Sequence, residues 1–162
     1  VSDDNLIIYE EEIEKVDVIL GKMLKGAEAK CALLVDKDGH LITRQGFTHS
    51  LDTTALAALL AGSFASTKEI ARLVGESEFS VLFHQGKKDH IHMSLVGDRS
   101  IMVVIFDDRT TIGMVRLYAK EAAAELSKIF SSLLDRSQNS KPGIDKEFTS
   151  SAVDRLDDIF QD

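Results

Sequence analysis

The sequence predicts an α/β chain of the α+β type, with one five-stranded antiparallel sheet sandwiched by helices. Three observations carry this. Apolar residues recur at helical spacing, then alternate, then return to helical spacing, giving the order helix, hairpin, long helix, three-strand meander, helix. The run Ile101-Met-Val-Val-Ile-Phe106 is apolar throughout, as a central strand covered on both faces requires. Tight turn sequences, Asp36-Lys-Asp-Gly39, Gly86-Lys-Lys and Gly97-Asp-Arg, separate the predicted strands.

Residues 10 to 26 read as the first helix. Ile13, Val16, Ile19, Leu20, Met23 and Leu24 fall three and four apart, acids crowd the first turn, and Gly26 stands at the expected stop. Lys30 to Asp36 is a short apolar strand, and Gly39 supplies the positive φ of the turn leading to a return strand, His40 to Gly46. Asp52 or Ser50 caps a long helix over residues 52 to 74, and Gly75 ends it. Phe79–Gln85, Asp89–Val96 and Ser100–Phe106 are the meander strands. Thr110 or Thr111 opens a last long helix to about Arg136, although Ile112 to Tyr118 also fits an extended lead-in. Ser137-Gln-Asn-Ser-Lys-Pro-Gly143 has the composition of a linker. Beyond it, Val153, Leu156, Ile159 and Phe160 form the stripe of a short amphipathic helix, too brief to be stable alone in water.

The helix over 52 to 74 is unusual in what it places outward. Laid out at about 100° per residue, Leu56, Leu59, Leu60, Phe64, Ile70 and Val74 cluster on the side expected to face the core. The opposite side reads Thr54, Ala58, Ala61 and Ala65, then Lys68, Glu69 and Arg72, with Gly62 on its flank. A helix that is small on its outer side lets another backbone approach closely. These residues are the expected partner-binding surface, together with the tail stripe.

The composition narrows the function further. With 44% hydrophobic and 28% charged residues, the 162-residue chain has a proper core and a polar surface. A net charge of −8 argues against a nucleic-acid partner, which calls for a basic patch. Cys31, the single cysteine, lies in an apolar run and reads as a buried, inert thiol in a reducing compartment. No apolar stretch reaches the ~20 residues that span a bilayer, and the acidic start does not read as a signal peptide. The expected location is the cytoplasm, with no membrane insertion; the resemblance described below adds enrichment at a cell pole.

Reactive chemistry is sought and not found. Gly86-Lys87-Lys88 lacks the glycine and hydroxyl of a phosphate-binding loop, and Asp36-Lys-Asp-Gly39 lacks the remaining ligands of a calcium loop. Ser63 lacks the following glycine of a nucleophile elbow. His84, His90 and His92 form a candidate metal set without a fourth ligand, so a polar strand face is the simpler reading. Arg44, Arg72, Arg99, Arg109 and Arg116 are candidate arginine fingers, Arg109 foremost because it follows a buried strand. No catalytic residue, metal or cofactor is assigned.

Taken in order, Tyr9-Glu-Glu-Glu12, Leu34-Val-Asp-Lys-Asp-Gly39, Leu51-Asp-Thr-Thr54, Leu60-Ala-Gly62, Phe83-His-Gln-Gly86 and Val103-Val-Ile-Phe-Asp-Asp-Arg-Thr110 resemble the roadblock (dynein light chain) family, with its profilin-like fold. The likeness is strongest to its bacterial gliding-motility branch and spans roughly residues 8 to 134. With the linker composition and the tail stripe, the expected organisation is a roadblock domain over 1–136, a flexible linker over 137–147 and an amphipathic tail helix over 148–162. The resemblance also implies a homodimer, with sheets joined edge to edge and the long second helices paired across the two-fold axis. The resulting platform docks a small Ras-like GTPase in its GTP state and speeds hydrolysis by repositioning the GTPase's own groups, in polarity and motility control. By the same likeness no arginine finger is needed. Two other readings are a scaffold that binds its partner without changing turnover, and a small-molecule sensor using the cleft between sheet and helix.

Overall fold

The computed structural model describes residues 10–160, with side chains through residue 136. Acidic Glu10, Glu11 and Glu12 open the first helix, α1 (Glu10–Ala27), at the end where the helix dipole favours negative charge. Gly26 is not its stop. The helix ends one residue later, where Glu28 takes a left-handed φ of 55° and the Ala29 N–H returns to the Leu24 carbonyl at 3.1 Å. Gly26 instead sits beneath the Tyr118 ring, which a Cβ there would overlap. That contact is long-range, so local turn chemistry misreads it.

Next come β1 (Cys31–Asp36) and β2 (Leu41–Gly46), joined by the expected turn. Gly39 takes φ +95° there, and the Asp36 carboxylate accepts the N–H groups of Asp38 and His40 at 2.9 and 3.0 Å. The second helix is α2 (Thr53–Leu73). Asp52 is its N-cap, accepting the Ala55 N–H at 3.0 Å. At the other end Gly75 takes φ +83°, and the Glu76 N–H reaches the Ala71 carbonyl at 2.8 Å while the Gly75 N–H reaches Arg72. This is a Schellman closure.

The meander is β3 (Val81–Gln85), β4 (His90–Val96) and β5 (Ser100–Phe106). The sheet order is β2-β1-β5-β4-β3, and every neighbouring pair is antiparallel. All seven residues of β5 are buried, as the unbroken apolar run predicts. Thr111 caps α3 (Ile112–Phe160) by accepting the Met114 N–H at 3.2 Å, which resolves Ile112 to Tyr118 as helix.

Over residues 137–147, where the composition predicts a linker, the backbone continues as helix within α3. Breakers such as Pro142 and Gly143 weaken a helix, but extending one already nucleated upstream is far easier than starting one.

Two cores lie on either side of the sheet. On one face, Val16, Leu20 and Leu24 of α1 and Val115, Ala119, Leu126 and Phe130 of α3 cover Leu34, Met102, Val104 and Phe106. On the other, α2 alone covers Leu33, Val35, Met93, Ile101 and Val103. Burial of each such large side chain contributes about 1.5–3 kcal/mol. Side-chain hydrogen bonds tie the layers: Thr43 to Asp17 at 2.6 Å, Arg44 to Thr53 at 3.0 Å, and Arg136 to Glu12 at 2.9 Å.

Candidate partner interface

Because α2 covers its face alone, half of its circumference has no neighbour among the described residues. The seam it buries runs through Thr53, Ala57, Leu60, Ala61, Phe64 and Ala71. Three alanines in that seam bring the helix axis close to the sheet. Ala61 is therefore not on the outer surface: it is 4% exposed and packs with Leu60 and Phe64. Conversely, Leu59, Ile70 and Val74 do not face the core. They are 70%, 52% and 65% exposed, and Leu73 is 79% exposed. The true outward ridge is rotated from the expected one and is more apolar. Periodicity finds an apolar stripe but not which of two apolar stripes faces the sheet.

The other α2 residues expected to face outward do so. Thr54, Ala58, Gly62, Ala65, Lys68, Glu69 and Arg72 are all exposed on α2. Glu69 and Arg72 pair with each other at 3.0 Å, a surface ion pair of little stabilising weight. Ser63 and Ser66 turn their hydroxyls back to the carbonyls of Leu59 and Gly62, both at 3.1 Å, which removes their polarity from the ridge. Nothing lies within 4 Å of the position a Cβ on Gly62 would occupy. Among the described residues, then, no packing requires a glycine that costs about 0.5–1 kcal/mol of helix stability relative to alanine.

The β3 edge adds to this surface. It closes the sheet beyond β4, carries Val81 and Phe83 partly exposed, and presents an unpaired row of backbone groups on its outer side among the described residues. Of the tail stripe, the backbone at Val153, Leu156, Ile159 and Phe160 is helical, but the side chains fall outside the described ones.

The reactive candidates take structural places. Arg109 donates through Nε to both Asp107 oxygens at 3.0 and 3.3 Å, and these hydrogen bonds hold the Asp107 carboxyl below the usual range. Arg44 is tied to Thr53, Arg72 to Glu69, and Arg99 lies in the β4–β5 turn. The histidines do not converge: His90 and His92 lie on the α1/α3 face of the sheet, while His84 pairs beside Ile91 on the opposite face. His90 is a turn clamp, with Nδ1 accepting the Gly86 N–H at 3.2 Å and Nε2 3.1 Å from Asp108. Among the described residues no group of three or more His, Cys, Asp or Glu is arranged to hold a metal. Cys31 is buried, and burial pushes its thiol up to about 11, so it stays protonated near neutral pH. No helix among the described residues is long and apolar enough to cross a membrane.

Comparison with known proteins agrees with this geometry. Residues 15–106, from α1 through β5, match the Roadblock/LC7 domain. The structure superposes on Myxococcus xanthus MglB with a TM-score of 0.75 and 49% identity, covering 79% of this chain and 96% of that one. Against the gliding protein MglB of Thermus thermophilus the TM-score is 0.75 at 28% identity, with 81% and 99% covered. A third MglB, in a tetrameric arrangement, matches with a TM-score of 0.76 at 27% identity over 82% of this chain and 99% of that one.

Proposed function

The chain belongs to the Roadblock/LC7 family, and from that premise we propose that it is a homodimeric regulator of a small Ras-like (MglA-like) GTPase in bacterial polarity and gliding motility. Its similarity to MglB proteins supports a regulatory rather than catalytic domain, and a tetrameric MglB supports self-association. The observation that carries the reading is the outer ridge of α2. Leu59, Ile70 and Leu73 stand exposed there among Ala55, Ala58, Gly62 and Ala65. Large apolar side chains interleaved with small ones are what a closely packed helix pair or a docked protein surface requires.

In this reading two copies pair through α2 and the β3 edge, and the joined α2 helices receive the GTPase in its GTP state. Thr54, Ala58, Gly62 and Ala65 allow close approach, while Lys68, Glu69 and Arg72 set orientation. The dimer accelerates hydrolysis by binding the hydrolysis-competent arrangement of the GTPase more tightly than the others, which shifts its population. No arginine of this chain enters the GTPase site; the bonding of Arg109 to Asp107 and of Arg44 to Thr53 supports that. The helix over 148–162, with Val153, Leu156, Ile159 and Phe160, adds a second contact that raises effective concentration.

The test uses a Ras-like GTPase from the same genome, loaded with GTP or GDP. Preferential capture of the GTP form and faster hydrolysis are expected. Capture without any change in turnover identifies a scaffold and overturns the activating role.

A further inference from the structure

The sheet face opposite α2 carries a feature that the α2 ridge does not use. A groove of about 360 Å³ runs between β3, β4 and the first turns of α3, bordered by Val81, His92, Ser94, Arg116, Lys120 and Ala123. Its floor is polar and unsatisfied. His92 is 2% exposed, yet neither ring nitrogen has a hydrogen-bond partner among the described residues, and the buried Ser94 hydroxyl is in the same position. The two residues are neighbours on one face of β4, opposite Val104 and Met102 of β5. A buried polar group left unpaired costs about 1–3 kcal/mol, so two together mark a place where something bound supplies the partners.

The rim says what kind of ligand. Arg116 and Lys120 stand one helical turn apart on α3, exposed, with no carboxylate within ion-pair distance of either among the described residues. This is a cationic spot on a chain of net charge −8. Burial and the Arg116 guanidinium push the His92 imidazole pKa down, so at neutral pH the ring is uncharged and offers one N–H donor. A hydroxyl, an imidazole N–H, a guanidinium and an ammonium facing one groove are all donors.

We propose that this groove binds the oxyanion of a small ligand, a phosphate or a carboxylate, with Arg116 and Lys120 supplying charge and His92 and Ser94 the buried hydrogen bonds. Val81 and Ala123 line the same groove with apolar surface for a short organic portion. The site lies across the sheet from the α2 ridge and, of its named residues, shares only Val81 with the β3 edge of the proposed dimer, so anion binding and GTPase capture are read out separately.

The experiment follows the His92 ring ¹⁵N signals of the full chain during titration with inorganic phosphate, and separately with succinate, at constant ionic strength. A saturable shift with either anion is expected, and which one saturates names the source. Arg116→Gln combined with Lys120→Gln should weaken binding about tenfold or more, because charge-assisted hydrogen bonds are lost. An unchanged melting temperature shows that this double variant still folds. A shift no larger than chloride alone produces means that water satisfies His92 and Ser94 and overturns the proposal. So does a saturable shift that the double variant retains in full.

Discussion

The two sides of α2 are both apolar, yet they are built differently. The inner side alternates small and large: Ala57, Ala61 and Ala71 draw the helix onto the sheet, and Leu60 and Phe64 fill what remains. The outer side has a similar alternation, Leu59, Ile70 and Leu73 among Ala55, Ala58, Gly62 and Ala65, but leaves it to solvent. The inner seam holds the fold together within one chain. Among the described residues nothing covers the outer ridge, so in the proposed reading its stabilisation comes from a partner.

The same substitution on the two sides should therefore have opposite consequences. Ala61→Arg forces a long cation against Leu33 and Val35 and should destabilise the fold by more than about 3 kcal/mol, or prevent folding, as read by chemical denaturation. Ala65→Arg, four residues on, should change unfolding free energy by about 0.5 kcal/mol or less at concentrations that dissociate any dimer, while abolishing GTPase capture. Equal destabilisation by the two would break the comparison.

Smaller substitutions sharpen it. Phe64→Ala should remove about 3–5 kcal/mol of stability. Leu59→Glu should leave the isolated fold near wild type and weaken self-association tenfold or more in sedimentation, about 1.4 kcal/mol or beyond. Gly62→Ala should raise the stability of the dissociated chain by about 0.5–1 kcal/mol and still weaken association, a pairing of signs that no purely internal role for Gly62 predicts.

Much of this was legible in the sequence. The central place of β5 is readable from its all-apolar run, the tight turns from their glycines, and the caps of α2 from Asp52 and Gly75. What was not legible depends on contacts far apart in the chain. The rotation of α2 depends on the sheet beneath it, because Ala57 and Ala61 become core residues only where the helix lies close. Gly26 is explained by Tyr118, not by its own turn. His92 reads as an ordinary strand histidine until α3 closes over β4, leaving its ring buried and without a hydrogen-bond partner among the described residues.

The outer ridge is tested most directly by single-turnover GTP hydrolysis of the partner Ras-like GTPase with wild-type chain and with Ala65→Arg side by side. Acceleration by the wild type, lost in a variant whose melting temperature is unchanged, is the predicted result. Undiminished acceleration by Ala65→Arg would contradict it and move the docking surface away from α2.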